Sequence, residues 1–158
     1  MAEAIAEGWR GADTEVDVRR AREVRDLGPF QAVVVGTSVH MGRLPGEIRG
    51  FASRHSQAFS RMPVAYFVVF LTMAEDTPEN RQATLAYLAP LRRAAPEGKP
   101  MDIGLFAGAV LDDTKEFKSL FPLLKFPARA MARSTPDRRD WAAIRAWAEG
   151  VRPALLTE

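Results

Sequence analysis

The sequence predicts a single α/β domain in which a parallel sheet is covered by helices on both faces. Three continuous apolar runs, Ala32–Val35, Val64–Leu71 and Ile103–Leu111, have the length and β-branched content of strands that are buried on both faces. Segments with apolar residues at helical spacing separate these runs, and strands that alternate with helices form parallel sheets. The length of 158 residues fits one domain, which we expect to span residues 1–158.

The N-terminal part predicts one helix and one short strand. Met1–Arg10 carries apolar residues at helical spacing, and Gly11 follows as a stop signal. Thr14–Val18 alternates polar and apolar residues, which is typical of a half-buried or edge strand. We therefore expect a helix and then an edge strand ahead of the first buried run.

The helices predicted after the first buried strand each begin near a residue that favours a helix N-terminus. Pro45 suits the first turn of a helix whose apolar face includes His55, and we expect this histidine to be a packing residue. Thr77 and Pro78 begin the helix after the second strand. Asp140 caps the last helix, and the predicted core face of that helix carries Trp141, Ile144, Trp147, Ala148 and Val151.

The composition excludes several classes of site. The chain has no cysteine, which excludes a disulfide framework, a thiolate metal site and a cysteine nucleophile. Two isolated histidines without an acidic cluster argue against a metal site. Neither a Gly-x-Gly-x-x-Gly loop nor a Gly-Lys-Ser/Thr motif is present, and Ser38 is not flanked on both sides by glycines at two-residue spacing, as a nucleophile elbow requires. The sequence therefore assigns no catalytic residue.

The charge is balanced overall but uneven along the chain. Lys and Arg number 22 against 20 Asp and Glu, yet residues 115–139 hold seven basic and two acidic residues, mostly within an irregular insertion at about 112–136. This segment could face phosphates, an acidic substrate or an anionic membrane surface, or it could be a solvated loop. It lacks interleaved surface aromatics and a recognisable module, so nucleic-acid binding is not expected.

The hydropathy of the chain and the composition of its N-terminus predict the cellular compartment. The longest apolar run, Pro63–Leu71, has nine residues, whereas a membrane span needs roughly 20. The acidic, periodic N-terminus does not have the features of a signal peptide. We expect a cytoplasmic protein whose only membrane contact would be peripheral, at the inner face of the membrane.

Polar residues follow the first buried strand at its carboxyl end, where parallel sheets bind ligands. The loop Gly36–Arg43 places hydroxyls, an imidazole and a thioether around two glycines. Glycines let the backbone approach a flat ligand, while hydroxyl and peptide N–H groups can bond ring heteroatoms. The alternative is an ordinary strand-to-helix turn that faces water. The loop Thr72–Thr77 either joins the same site or only caps the next helix, and Val110–Thr114 is the third loop at this edge.

These residues resemble a known family. Phe30–Gly42 resembles the third strand and flavin-ring loop of flavodoxin-like proteins, most closely the menaquinone-dependent protoporphyrinogen oxidase branch with its Gly-x-Ser-x-His-x-Gly pattern. Val69–Thr72 is similar to the fourth strand and second flavin loop of that branch, and Leu105–Leu111 to its fifth strand. The resemblance implies a flavodoxin-like, doubly wound, three-layer fold.

The resemblance also implies a cofactor and partners. Proteins of this branch bind FMN and oxidise protoporphyrinogen IX in haem biosynthesis, passing electrons to a quinone. The basic segment would suit the propionates of a porphyrinogen or an anionic membrane surface. The residues that would line the flavin are Thr37, Ser38, Val39, His40, Met41 and Gly42 on the first loop and Thr72 and Met73 on the second.

One piece of the family pattern is missing. Flavodoxin-like chains start with a central strand and a loop that holds the FMN phosphate, whereas Ala2–Glu7 resembles the middle of the helix after that loop. We therefore expect the first strand to be absent and FMN to bind weakly to this chain. The sheet would be repaired if Thr14–Val18 closes onto Ala32–Val35, if a partner supplies a strand in a homo-oligomer, or if the sequence is a shortened gene model. The alternative function is a non-catalytic interaction module that has lost FMN binding.

Overall fold

The fold is organised around a parallel sheet. A computed structural model describes residues 1–11, 14–40, 42–109 and 136–156 of the chain. Within them, strands β1 (Val33–Ser38), β2 (Val64–Val69) and β3 (Ile103–Phe106) form one sheet in the order β1-β2-β3. All pairings are parallel, so the carboxyl ends of the three strands lie at the same edge of the sheet. The three runs predicted as strands are confirmed.

Helices precede, separate and follow the strands in the described part of the chain. The predicted starts of two of them are confirmed, because the Thr77 hydroxyl accepts the Asn80 N–H at 3.2 Å and the Asp140 carboxylate accepts the Ala143 N–H at 2.9 Å. The helices are α1 (Ala2–Trp9), α2 (Gly46–Arg54), α3 (Ser56–Phe59), a 3₁₀ helix (Leu71–Ala74), α4 (Pro78–Ala86), α5 (Ala89–Ala94) and α6 (Trp141–Leu156).

Alternate residues of β2 divide between two apolar layers. Val64, Tyr66 and Val68 pack towards α2 and α5, whereas Ala65 and Phe67 pack towards α1 and α6. Because both faces of β2 are covered, the strand is apolar without interruption, and the predicted three-layer arrangement is confirmed. The helical residues of the first layer include Ile48, Phe51 and Leu91, and those of the second include Ile5, Trp9, Ile144 and Val151.

The predicted packing residues lie in or beside these layers. His55 separates α2 from α3, is 7% exposed, and has its ring centroid 4.7 Å from that of Phe51, which confirms its packing role. Trp141 and Trp147 are half-buried rather than fully in the core. The Trp147 indole N–H donates to the Asp102 carboxylate at 2.7 Å, so its polar edge stays at the surface.

The predicted strand Thr14–Val18 is wrong. An isolated bridge joins Gly11 to Thr14, and residues 15–20 have no regular structure. Val16 packs against the α1–α6 layer, and its alternation with polar neighbours reflects this burial, not pairing to a strand. Thr14–Val18 therefore does not close onto β1.

The ends of all three strands differ from the prediction. β1 continues to Ser38, so Gly36, Thr37 and Ser38, which the sequence predicts as part of the loop, belong to the strand. β2 stops at Val69, because Leu71 already begins the 3₁₀ helix, and β3 stops at Phe106. Val110 and Leu111, predicted as the end of the third strand, lie outside the described residues. None of the helices in the described ranges is long and apolar enough to cross a membrane.

Candidate functional site

The turn after β1 is fixed by its own backbone. The Val39 N–H donates to the Val69 carbonyl at 2.9 Å and continues the ladder with β2. His40 and Arg43 then exchange two backbone hydrogen bonds, of 2.9 and 3.0 Å. Gly42 has a φ of 72°, in the left-handed region that favours glycine. The loop is thus a tight, glycine-dependent turn at the carboxyl edge of the sheet.

Two of the predicted site residues contact each other. Ser38 Oγ lies 2.5 Å from His40 Nε2, and either atom can donate, depending on the tautomer of the ring. Ser38 is half-buried and His40 is exposed, so the pair is open to a ligand at this edge. No carboxylate in the described ranges orients the His40 ring, so the pair lacks the third member of a hydrolytic triad.

The other residues of the first loop have different surroundings. Thr37 is 7% exposed, and its hydroxyl donates to the Ser38 carbonyl at 3.4 Å. Val39 packs against the α2–α5 layer. Met41 lies outside the described residues. Among the described residues of the predicted set on this loop, the polar side chains of Ser38 and His40 and the backbone of Gly42 are therefore accessible.

The second loop continues β2 as the 3₁₀ helix Leu71–Ala74. The Phe70 N–H donates to the Phe106 carbonyl at 3.0 Å, and the Met73 N–H donates to the Phe70 carbonyl at 3.0 Å. Met73 is 6% exposed, so its side chain packs inside, whereas Thr72 is half-buried. The loop also caps α4 through Thr77, which is one of the two roles that the sequence leaves open for it.

Tyr87 borders the first loop, although no sequence pattern indicated this. A Cβ built on Gly42 would lie 3.7 Å from the Tyr87 hydroxyl, with no other heavy atom of the described chain this close. The Tyr87 ring meets Phe70 edge-on, with 5.2 Å between ring centroids. Tyr87 lies in the interruption between helices α4 and α5, and this interruption brings it close to the loop. Helical periodicity in the sequence does not reveal the interruption.

In the described part of the basic segment, Arg139 is paired with an acidic residue. The Arg139 guanidinium bonds the Asp137 carboxylate at 2.5 Å and lies 4.9 Å from the centre of the Trp141 ring. These hydrogen bonds from Arg139 lower the pKa of Asp137 to about 2. The Arg138 N–H donates to the Gly108 carbonyl, which places this end of the segment just after β3. Residues 115–135, the remainder of the segment, lie outside the described residues.

Two further features bear on what the site can bind. Within the described ranges, no group of three or more His, Asp or Glu side chains could hold a metal ion. A groove of about 510 Å³ lies between α2 and α5, with Arg49 and Arg93 among its lining residues, and it contains none of the predicted site residues. The turn after β1 suits a flat heteroaromatic ligand better, because it offers polar side chains beside a glycine that a ring can approach.

Comparison with known proteins identifies the family. Residues 1–119 match the family model described as "Flavodoxin domain". The chain is 27% identical over 127 residues to a protoporphyrinogen IX dehydrogenase [quinone] of Leishmania major, covering 77% of this chain and 54% of that protein. It is 36% identical over 73 residues to an NAD(P)H dehydrogenase (quinone) of Paraburkholderia phymatum, covering 32% of this chain and 37% of that protein.

The chain covers only part of the length of each relative. The alignments span about half of the first relative and about a third of the second. No solved structure gives a significant match to the chain. The family assignment rests on the 119 matched residues, which include α1, β1, β2, β3 and both loops of the candidate site. The chain belongs to the flavodoxin domain family.

Proposed function

We propose that this chain belongs to a flavin-dependent oxidoreductase and that the flavin ring of FMN binds at the turn after β1. The observation that carries the proposal is the glycine-dependent turn itself, in which Gly42 at a φ of 72° follows the hydrogen-bonded pair Ser38 and His40. Membership of the flavodoxin domain family supports it, as do two relatives whose names describe quinone-linked dehydrogenases.

The residues present fit a flavin ring. A Cβ on Gly42 would meet the Tyr87 hydroxyl at 3.7 Å and no other heavy atom of the described chain within 4 Å, so a planar ring can approach the backbone there. The Ser38 hydroxyl and the His40 imidazole would hydrogen-bond ring heteroatoms, and Thr72 would contribute from the second loop. Thr37, Val39 and Met73 would support these groups from the packed side of the site. A bound flavin would supply the electron-transfer chemistry, while the protein would bind and orient it.

The proposed substrates follow from the relatives. A quinone is the proposed electron acceptor, because the names of both relatives contain it. A porphyrinogen is the proposed donor by analogy with the Leishmania major protein alone, which would assign the chain to haem biosynthesis. The basic residues 115–139 would contact the propionates of this donor or an anionic membrane at its cytoplasmic face.

Titration of the chain with FMN and with riboflavin, followed by flavin fluorescence, tests the ring site. The sequence has no glycine-rich phosphate loop, so we expect weak binding in which FMN and riboflavin have similar affinities. Gly42→Val should weaken binding of both by about tenfold or more, equivalent to about 1.4 kcal/mol, because a branched side chain at positive φ displaces the turn. Gly50→Val on α2, a glycine with open space around it, is the matched control and should not change binding.

Two results would count against this assignment. If neither flavin changes its fluorescence with the chain, the alternative of a non-catalytic interaction module is favoured. If Gly42→Val and Gly50→Val bind flavin equally well, the ring site does not lie at this turn.

A further inference from the structure

Tyr87 lies between the two loops of the candidate site. A Cβ built on Gly42, in the first loop, would lie 3.7 Å from the Tyr87 hydroxyl. The Tyr87 ring meets the Phe70 ring edge-on, with 5.2 Å between ring centroids, and Phe70 directly precedes the 3₁₀ helix of the second loop. The side chain therefore contacts the start of the second loop through its ring and faces the first loop through its hydroxyl.

The backbone fixes the position of Tyr87. The residue follows the last turn of α4, and its N–H donates to the Thr84 carbonyl at 3.2 Å. The next N–H, that of Leu88, donates to the Leu85 carbonyl at 3.0 Å. Thr84 and Leu88 are both fully buried, so the chain is anchored on either side of Tyr87. A hydroxyl held in this way loses little further conformational freedom when it binds a ligand.

The Tyr87 hydroxyl is available to a ligand. It makes no hydrogen bond within the described ranges, and it is not enclosed by the protein. The other tyrosine differs, because the Tyr66 hydroxyl also lacks a partner there but is enclosed in the core. A phenol hydroxyl both donates and accepts hydrogen bonds, so that of Tyr87 can pair with a carbonyl oxygen or with an N–H group of a ring.

The packing of Tyr87 accounts for its ring and not for its hydroxyl. A phenylalanine at this position would make the same edge-on contact with Phe70. The hydroxyl adds no contact that stabilises the described chain, since it has no partner there. A ligand at the turn would supply that partner.

We propose that the Tyr87 hydroxyl forms a hydrogen bond with the flavin ring at the turn after β1. The inference rests on the proposed function, and it adds a third polar group to the pair Ser38 and His40. A ring that approaches the Gly42 backbone occupies the space of the missing side chain, where the Tyr87 hydroxyl is the nearest described protein atom. A polar ring atom about 0.5–1 Å closer to this hydroxyl than the built Cβ lies within hydrogen-bond distance.

Riboflavin titration of Tyr87→Phe, followed by flavin fluorescence, tests the hydrogen bond. Riboflavin is the probe because it carries the ring without a phosphate. Tyr87→Phe keeps the ring packed on Phe70 and removes only the hydroxyl, so affinity should fall about three- to tenfold, as expected for the loss of one hydrogen bond. Tyr66→Phe removes the other tyrosine hydroxyl, which lies in the core, and should leave the affinity unchanged. Thermal denaturation should show that both variants are folded.

NMR with ¹³C-labelled tyrosine rings tests the contact without depending on affinity. The chain has two tyrosines, and Tyr66→Phe leaves only the ring signals of Tyr87, which assigns them. Saturating riboflavin should shift the signals of Tyr87 and leave those of Tyr66 in place.

The outcomes separate this inference from the flavin site itself. If Tyr87→Phe binds riboflavin as tightly as the wild type while Gly42→Val weakens binding, the site stands and the role of the hydroxyl is overturned. Ring signals of Tyr87 that do not move with bound riboflavin overturn it as well. If the wild-type chain binds no riboflavin, the proposed function fails and this inference fails with it.

Discussion

Replacing Gly36 by alanine is expected to destabilise the chain, because the neighbouring strand leaves no room for a methyl group. Gly36 lies opposite Phe67 in the register of β1 and β2. A Cβ at this position would come within 2.0 Å of Phe67 Cζ and 2.4 Å of its Cε1, where about 3.5–4.0 Å is normal for two carbons. The ring must therefore move for the variant to fold.

The surroundings of Phe67 set the size of the effect. Its ring packs against Phe106 and Trp147, with ring centroids 6.4 and 6.3 Å away, so it cannot tilt freely. Overpacking of a core typically costs about 1–3 kcal/mol, and the gain from replacing a strand glycine by alanine offsets about 0.5–1 kcal/mol of this. We expect a net loss of about 1–2 kcal/mol, which lowers Tm by about 2–8 °C in a domain of this size.

Thermal and urea denaturation of Gly36→Ala, followed by circular dichroism, measure this loss. Gly50→Ala is the matched control, since its Cβ meets nothing within 4 Å and an alanine in helix α2 should stabilise the chain by about 0.5–1 kcal/mol. Phe67→Leu in the Gly36→Ala background should recover part of the stability, measured as a coupling energy in a double-mutant cycle. A Gly36→Ala chain as stable as the wild type would refute the packing described for this pair.

Three further predictions concern buried or capping groups. Tyr66→Phe should raise the free energy of unfolding by about 1 kcal/mol in urea denaturation, because the buried Tyr66 hydroxyl has no partner in the described chain; a loss of stability would refute this. Burial raises the pKa of Tyr66 above 10, so the unfolded phenol ionises first and stability falls as pH rises beyond 10. In a spectrophotometric titration, one of the two tyrosines should ionise late, and Tyr66→Phe should remove that step. Asp140→Ala should cost about 1 kcal/mol by removing the cap of α6, whereas Asp140→Asn should retain most of that stability; thermal denaturation compares them.

Local signals in the sequence predicted much of the fold. The apolar run Val64–Leu71 predicted the strand Val64–Val69, because helices cover both faces of this strand and such a position requires apolar residues throughout. Thr77 and Asp140 marked helix starts because a capping side chain bonds a backbone N–H only three residues away. The glycine-flanked loop after β1 was likewise predictable, since the positive φ of Gly42 is a local requirement.

Features that depend on distant parts of the chain were not predictable from the sequence. The alternation in Thr14–Val18 suits a strand, but a strand also needs an edge to pair with, and Val16 instead packs against the α1–α6 layer. Tyr87 reaches the turn at Gly42 across 45 positions, through a helix break that Pro90 in the first turn of α5 marks but that apolar periodicity does not reveal. The link between Trp147 and Asp102 also spans 45 positions, and only the packing of α6 brings them together.

A titration of the ¹⁵N-labelled chain with riboflavin, followed by NMR, tests whether the turn after β1 holds a flavin ring. The largest shifts should occur at the amides of Ser38, His40 and Gly42, with smaller shifts at Thr72 and Met73. Shifts that instead concentrate at the groove between α2 and α5, around Arg49 and Arg93, would contradict the claim.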